Sequence, residues 1–279
     1  MWSRTSHGRR IAALTIIGTA IVLPLVVFVL GPNMPPGKSS GAASAQVTDN
    51  TVLLAVMTPF AVFILVYLVY AVAVFRPPRG ETALVDGAPI RGHFRAQVAW
   101  LATTTLAVLF LAVFGTTELL ADNGSGGGSG PSPVAKPSGA ALPVQVIAQQ
   151  WQFTYRYPTF GGVETPDLVI PVDREIAFHV TSLDAIHSFW AYELGVKADA
   201  NPGVDNIAYV KPTKVGTFHV RCAELCGLWH GYMAETGRVV DAHAFGSWIA
   251  AQRSRFAPVQ KYLPRYAPAY APDPTFRAG

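Results

Sequence analysis

The chain has 279 residues, of which 51% are hydrophobic and only 14% are charged, too apolar a composition for an ordinary soluble domain. The formal net charge is +4, but residues 144–261 carry ten basic against eleven acidic side chains. This balance argues against nucleic acid as a partner.

Three long uncharged segments account for the apolar composition. Residues 11–30, 52–75 and 97–117 contain no Asp, Glu, Lys or Arg. About 20 apolar residues of helix cross the hydrocarbon core of a bilayer, so each segment is long enough to be a transmembrane helix. Pro24 and Pro59 interrupt two of the segments, which membrane helices tolerate. The sequence therefore predicts a membrane region over residues 1–121 with two or three helices.

The basic residues around these segments indicate their orientation. Arg4, Arg9 and Arg10 precede the first segment, and four arginines lie in the loop 76–95. The loop between the first two segments contains only Lys38. Because short cytoplasmic loops are enriched in Lys and Arg, the N-terminus and the 76–95 loop are predicted to be cytoplasmic. Everything after the third segment is then on the outer, periplasmic side of a cell membrane, and the high content of Ala, Gly, Pro and Arg suits a bacterial protein.

The first segment has a second interpretation, as a signal peptide. Its basic start fits this interpretation, and Ala43-Ser44-Ala45 resembles a cleavage site. Against it, the apolar run is longer than a usual signal-peptide core, and the candidate site lies well past its end. A retained helix is the favoured prediction, and the topology of the later segments is the same in both cases.

The composition changes again after the membrane region. Residues 122–143 are dominated by Gly, Ser and Pro, which predicts a flexible linker. Short segments of alternating character then follow, separated by turn residues, at 144–148, 151–157, 167–173, 175–181, 206–210 and 216–222. This pattern indicates an all-β sandwich or barrel over residues 144–256.

The end of the chain differs from the strand-rich part before it. Residues 241–253 read as an amphipathic helix with Asp241 as a possible N-cap. The remaining residues, 257–279, are rich in Pro and Tyr and are predicted to be extended.

The chemistry is concentrated in one segment, CAELCGLWHGYM, which extends from Cys222 to Met233. It contains both cysteines, and His230 lies between Cys226 and the methionine. Thiolate, imidazole and thioether are ligands that hold copper. The cluster is one strong ligand short. The best second imidazole is His187, which the sequence places at a turn between predicted strands.

Several kinds of site use residues of these types. Two cysteines of an exported domain can form a disulfide, although His230 and Met233 then have no role. A structural zinc site gains nothing from methionine. A blue-copper centre uses one Cys, two His and a weak axial Met. The second cysteine favours a centre in which two sulfurs bridge two coppers.

Together with IHSFWAYELGVKADANPG and QWQFTYRYP, this motif resembles subunit II of haem–copper cytochrome c oxidases. The resemblance covers the membrane helices at 52–117 and the whole outer domain. It implies a cupredoxin-like Greek-key barrel that holds two copper ions in a dinuclear centre, CuA. It also implies oxidase subunits I and III, cytochrome c and membrane lipid as partners.

The same resemblance assigns the metal ligands. It implies that the thiolates of Cys222 and Cys226 bridge the two coppers, and that the imidazoles of His187 and His230 are the terminal ligands. Met233 would be a weak axial thioether ligand, and Glu224 would bind through its backbone carbonyl. The side chain of Glu224 would in addition reach a magnesium ion at the border with subunit I.

Further residues surround the implied centre. Trp151 matches the surface tryptophan at which cytochrome c delivers its electron; the alternative is an ordinary half-buried sheet tryptophan. An acidic docking patch for cytochrome c is predicted at Asp184, Glu193 and Asp199. An apolar shell is predicted at Phe189, Trp190, Trp229 and Tyr232. His179 and His219 lie in predicted strands and are expected to be structural.

The implied function is electron transfer in a respiratory terminal oxidase. Electrons from cytochrome c would pass through CuA to haem in subunit I, where oxygen is reduced to water and protons are translocated. No catalytic residue is then expected on this chain. Family members often carry a glutamate at the inner start of the last helix, but this chain has Gln97, so a proton-entry role does not carry over.

Three other functions are alternatives. A quinol-oxidase subunit without copper conflicts with the complete set of ligand residue types. The copper domain of a nitrous oxide reductase conflicts with the length of 279 residues, which leaves no room for a large catalytic domain. A copper carrier rarely needs two membrane spans.

Overall fold

The computed structural model describes residues 4–76, 92–121, 127–128 and 141–260. Most of the predicted 122–143 linker, of the 76–95 loop and of the 257–279 tail lies outside these residues. The chain divides into two compact units. One comprises Met1–Met34 and Thr48–Thr117, and the other comprises Pro35–Val47 and Glu118–Gly279.

The first unit is helical. Helix α1 spans Arg4–Leu25 and continues through a π-helical turn, Val26–Leu30, and a 3-10 turn, Gly31–Asn33. Helices α2 and α3 span Gly41–Val74 and Phe94–Ala121. All three are long and apolar enough to cross a membrane, and at most 11% of the apolar window of any of them is buried. Helices that are apolar on all sides suit a lipid environment, so the predicted membrane helices are confirmed.

Helix α2 begins at Gly41, well before its uncharged run, because Ser40 caps it. The Ser40 hydroxyl oxygen accepts a hydrogen bond from the Ala43 N–H at 3.0 Å, and the hydroxyl donates to the Leu194 carbonyl at 2.6 Å. Gly195 has a φ of +69°, and a Cβ there would lie 2.5 Å from the Ala43 nitrogen. The predicted membrane region is therefore not one unit, since residues 35–47 pack with the β-domain, and the Ala43-Ser44-Ala45 motif lies within a helix.

The second unit contains two β-sheets. Its strands are β1 Gly127–Gly128, β2 Leu142–Gln149, β3 Gln152–Tyr157, β4 Val163–Thr165, β5 Val169–Pro171, β6 Ile176–Ser182, β7 His187–Ala191, β8 Val196–Ala200, β9 Asn206–Val210, β10 Gly216–Cys222 and β11 Ala234–Val240. The six-stranded sheet has the order β1-β8-β7-β10-β11-β5, and the five-stranded sheet has the order β4-β3-β2-β6-β9. Strand β2 pairs with β6 in parallel and with β3 in antiparallel orientation. The predicted all-β domain is confirmed, although β1, β4, β7, β8 and β11 were not predicted.

The core lies between the sheets and contains a cluster of aromatic rings. The Phe189 ring contacts the rings of Phe153 and Phe178 at centroid distances of 5.9 and 5.1 Å, and all three side chains are fully buried. Because Phe189 is on β7, while Phe153 and Phe178 are on β3 and β6, these contacts join the two sheets.

The last described element is helix α4, Ala242–Gln260. Asp241 caps it as predicted, since its Oδ1 accepts a hydrogen bond from the Ala244 N–H at 2.8 Å. Phe245 and Ile249 bury their side chains in the domain core. The prediction of an extended chain from residue 257 was wrong for residues 257–260. Pro258 costs one helical hydrogen bond but does not end the helix before Gln260.

Candidate metal centre

Strand pairing at one end of the β-domain brings two distant segments together. His187 is the first residue of β7, and Cys222 is the last residue of β10. These strands are antiparallel neighbours, with Cys222 opposite Phe189. The prediction that His187 lies at a turn was wrong, because β7 begins at this residue. Its backbone is therefore held by the sheet.

The other candidate ligands lie in the loop between β10 and β11. The Cys222 N–H donates a hydrogen bond to the Met233 carbonyl at 3.0 Å, which closes the loop at its base. Within it, His230 begins a 3-10 turn, His230–Tyr232, and Met233 follows directly. The loop therefore folds back and returns its imidazole and thioether toward the cysteines.

Five side chains and one carbonyl converge at this point. The Cys222 sulfur lies 3.7 Å from the Cys226 sulfur and 3.8 Å from His187 Nδ1. The Cys226 sulfur lies 3.4 Å from His230 Nδ1 and 3.9 Å from Met233 Sδ. The Glu224 carbonyl oxygen lies 3.2 Å from the Cys222 sulfur. Each cysteine thus has one imidazole beside it.

The cluster is buried. The side chains of His187, Cys222, Cys226 and Met233 are buried, and that of His230 is partly buried. Within the described part of the chain, His187, Cys222 and Cys226 form a group whose ligand atoms all lie within 4.8 Å of one another. Both cysteines are free, so the alternative disulfide is not formed. Thiolate, imidazole and thioether donors in a buried site fit copper.

The surroundings of Cys222 favour the thiolate form of its side chain. Burial opposes ionisation of Cys222, but hydrogen bonds from His187 and from the backbone at Glu224 and Ser188 lower its pKa below the usual thiol value. Burial and the neighbouring Cys222 sulfur raise the pKa of Cys226. A metal ion that binds both cysteines must therefore displace a proton from Cys226.

Asp184 orients the candidate ligand His187. Its Oδ1 lies 2.8 Å from His187 Nε2, so Nδ1 faces the Cys222 sulfur. Burial lowers the pKa of His187, but its contacts with Cys222 and Asp184 outweigh burial and raise it. A carboxylate that binds the far nitrogen of a ligating histidine is a common feature of metal sites. This role of Asp184 was not predicted, although the D-x-x-H spacing is visible in the sequence.

The carboxylates of the predicted acidic patch all make polar contacts within the domain. Asp184 also accepts a hydrogen bond from the Gln150 N–H at 2.7 Å. Glu193 lies 2.6 Å from His219 Nδ1, and Asp199 accepts a hydrogen bond from the Ser188 hydroxyl at 2.8 Å. The three carboxylates therefore serve local structure, and their role in docking stays a prediction.

Trp151 lies directly beside the loop. Its Nε1–H donates a hydrogen bond to the Cys226 carbonyl at 3.2 Å, and the Gln150 side-chain amide donates to the same oxygen at 2.8 Å. Gly227, with a φ of +115°, makes room for them, since a Cβ there would lie 2.9 Å from Gln150 Nε2 and 3.4 Å from Trp151 Cζ2. The half-buried indole thus contacts the backbone of a candidate copper ligand.

The predicted apolar shell is only partly correct. Phe189 is fully buried, whereas Trp229 and Tyr232 are 49% and 79% exposed and contact each other edge-on. The reason is the tight turn after Trp229, which directs these rings outward while His230 and Met233 face the cysteines. Trp190 is half-buried on β7.

Glu224 presents its carbonyl and its carboxylate to different surroundings. The carbonyl contacts Cys222, but the residue as a whole is exposed, and its carboxylate is not part of the convergent group. The described residues place no group of acidic ligands around it. One carboxylate from this chain does not make a magnesium site, so the magnesium assignment stays a prediction.

Neither of the remaining histidines of the strands points at the cluster. His179 is buried, and its Nδ1 lies 2.9 Å from Asp205. His219 lies on the outer face of β10, stacked on Tyr192 and bonded to Glu193. Both make structural contacts, although His219 is on the solvent side of its strand.

The chain is similar to members of one protein family. Residues 163–240 match the family model for cytochrome c oxidase subunit II, periplasmic domain. The chain is 26% identical to cytochrome c oxidase subunit 2 of Thermostichus vulcanus, over 85% of this chain and 84% of that protein. It is 33% identical to a probable cytochrome c oxidase subunit 2 of Rickettsia bellii, over 40% of this chain and half of that protein.

A solved structure is also similar in sequence. The crystal structure of the periplasmic domain of subunit II of cytochrome oxidase (CoxB) from Bradyrhizobium japonicum is 34% identical to this chain. The match covers 43% of this chain and 98% of the crystallised domain, with a TM-score of 0.41.

Proposed function

The chain belongs to the cytochrome c oxidase subunit II family, and on that premise we propose that it is the electron-entry subunit of its oxidase. It receives electrons from cytochrome c at a dinuclear copper centre and passes them to haem in subunit I. Oxygen is reduced to water there, and the reaction drives proton translocation. This chain contributes no residue to the oxygen chemistry itself.

The observation that carries the proposal is the pair of buried sulfurs 3.7 Å apart. Two thiolates this close can bridge two copper ions, and each sulfur has its own histidine to complete one metal. A mononuclear blue-copper centre uses a single thiolate and would leave the second cysteine without a role. Met233, beside the Cys226 sulfur, and the Glu224 carbonyl, beside the Cys222 sulfur, would be the weak ligands.

Bound copper supplies a one-electron redox couple, and the chain's own residues keep its surroundings constant. The β7–β10 pairing and Asp184 hold His187, and the Gln150 and Trp151 side chains hold the Cys226 carbonyl. The buried sulfurs are shielded from water. Ligands that move little between redox states favour fast electron transfer, so this rigidity is the contribution of the fold.

Trp151 is the proposed point of electron entry. It is half-buried, so part of the indole faces solvent while its Nε1–H bonds to the Cys226 carbonyl. This geometry supports a short path from a docked redox partner to one candidate copper ligand. We further propose that the copper domain is on the outer side of the membrane, as the arginine distribution predicts.

Copper stoichiometry and the optical spectrum of the full chain in detergent test the proposal. We expect two coppers per chain and a thiolate-to-copper spectrum distinct from that of a blue-copper protein. His219→Ala is the matched control, because it removes an imidazole from β10 that does not face the cluster. One copper per chain with a blue-copper spectrum would contradict the dinuclear centre.

A further inference from the structure

A cavity of about 480 Å³ lies at the arginine-rich end of the helical unit. His7 and Arg10 of α1 line one wall, and Val74 and Phe75 at the end of α2 line the other. It has no part in the candidate metal centre, which is formed by the β-domain. Its wall from α1 belongs to a helix that the resemblance to the oxidase family did not include.

The walls of the cavity are held in place by packing between α1 and α2. His7 Nδ1 lies 2.8 Å from the Tyr70 hydroxyl, and the His7 ring contacts the Phe75 ring at a centroid distance of 5.2 Å. Further along the same pair of helices, a Cβ on Gly18 would lie 2.8 Å from Val62 Cγ1. A small residue at this crossing lets membrane helices approach closely. The cavity is therefore formed by two helices in firm contact.

The level of the cavity in the membrane follows from the sequence. The uncharged run of α1 starts directly after Arg10, and that of α2 ends at Phe75. The cavity thus lies where the apolar spans end and the lipid headgroups begin. Arg9 and Arg76 are close in sequence to this level but are not among the described residues that line the cavity.

The two walls differ in chemistry. Arg10 and His7 offer N–H groups, whereas Val74 and Phe75 offer apolar surface. A guanidinium has five N–H donors in a planar fork, so Arg10 can bind a phosphate in addition to its contacts within the protein. A ligand that matches both walls carries a phosphate next to a hydrocarbon chain.

We propose that this cavity binds the headgroup phosphate of an anionic phospholipid. Basic pockets between transmembrane helices recognise such headgroups. Arg10 and His7 contact the phosphate, and Val74 and Phe75 contact the glycerol and the first methylenes of an acyl chain. Inorganic phosphate shares the anionic group but gains nothing from the apolar wall.

The test is lipid binding to the full chain in a neutral detergent, measured by native mass spectrometry. Phosphatidylglycerol, phosphatidylcholine and inorganic phosphate are the three probes. Because hydrogen bonds from a guanidinium to a phosphate are charge-assisted, we expect Arg10→Gln to lower the affinity for phosphatidylglycerol about tenfold or more. Arg10→Lys keeps the charge and should retain part of the affinity.

Arg9→Gln is the matched control, since it removes the same charge from the adjacent residue, which does not line the cavity. Its affinity should stay within about twofold of the wild type, as expected for an exposed charge. Equal losses in Arg9→Gln and Arg10→Gln would reduce the effect to general surface charge and overturn the proposal. Inorganic phosphate or phosphatidylcholine binding as tightly as phosphatidylglycerol would also overturn it. So would an intact mass showing that α1 is removed from the mature chain.

Discussion

The two sides of the loop from Cys222 to Met233 differ sharply. Its cysteines and Met233 are buried beside His187, whereas Leu228 and Tyr232 are exposed. The 3-10 turn and the hydrogen bond between the Cys222 N–H and the Met233 carbonyl separate the two sides. We infer that residues on the inner side determine whether the site binds metal, and that residues on the outer side determine which redox partner can approach it.

The largest effect is expected on the inner side. Cys226→Ser should abolish the dinuclear centre, because a hydroxyl does not replace a bridging thiolate. Copper content of the purified full chain, measured by mass spectrometry of the metal, should fall from two per chain to one or fewer. A variant that still bound two coppers would show that Cys226 is not a bridging ligand.

Substitution of Asp184 tests whether a residue that is not itself a candidate ligand contributes to copper affinity. Asp184→Asn weakens the hold on His187 Nε2, and changes to such partners typically cost about 10–100-fold in metal affinity. Competition with a copper chelator measures the loss. Asp199→Asn is the control, since Asp199 bonds to the Ser188 hydroxyl rather than to a candidate ligand. Equal copper affinities in the two variants would show that Asp184 does not contribute to metal binding.

Glu235 tests whether the strand that follows the loop depends on a buried carboxyl. Its carboxylate oxygens accept hydrogen bonds from the Phe153 N–H and the Tyr155 hydroxyl, both at 2.9 Å. Glu235→Leu leaves these buried donors unpaired and should destabilise the domain by about 1–3 kcal/mol, measured by urea unfolding. Glu235→Gln keeps an acceptor and should cost less.

The same residue predicts a pH dependence. Burial raises the pKa of Glu235, and its hydrogen bonds offset this only in part. Because the folded state holds the proton more tightly than the unfolded state, this carboxyl favours folding at low pH and loses that contribution as pH rises through its folded pKa. The wild type should therefore lose stability relative to Glu235→Gln between mildly acidic and neutral pH. An unchanged difference would show that burial does not perturb this group.

Met233 is expected to have a smaller effect than the other inner ligands. An axial thioether tunes a copper site more than it holds the metal, so Met233→Leu should keep both coppers. Loss of the sulfur donor should raise the reduction potential, which redox titration of the optical spectrum measures. Complete loss of copper in this variant, with copper retained in Cys226→Ser, would reverse the proposed ranking of ligands.

Substitution of Trp151, which lies beside the loop, tests electron entry separately from copper binding. Trp151→Ala should leave copper content and spectrum unchanged while slowing electron transfer from reduced cytochrome c, because the indole no longer fills the gap beside Cys226. Rapid mixing with the assembled oxidase measures the rate at saturating cytochrome c. An unchanged rate would assign Trp151 to packing alone.

The sequence by itself determined the elements that depend on composition or on short spacing. The three membrane helices follow from long uncharged runs, because lipid selects for apolar side chains on every face. The loop from Cys222 to Met233 follows from donors that are close together along the chain. Alternating segments predicted the all-β domain, and the motif resemblance predicted its family.

Only the tertiary structure decided which way side chains face and which distant segments meet. Pairing of β7 with β10 placed His187 beside Cys222, and the same contact revealed Asp184 as its partner. A tight turn directed Tyr232 outward, against the prediction of an apolar shell. Ser40 joined the start of α2 to the β-domain through Leu194. The physical reason is common to all of these features: each depends on a contact between residues far apart in sequence or on a local turn, and neither leaves a periodic pattern in the chain.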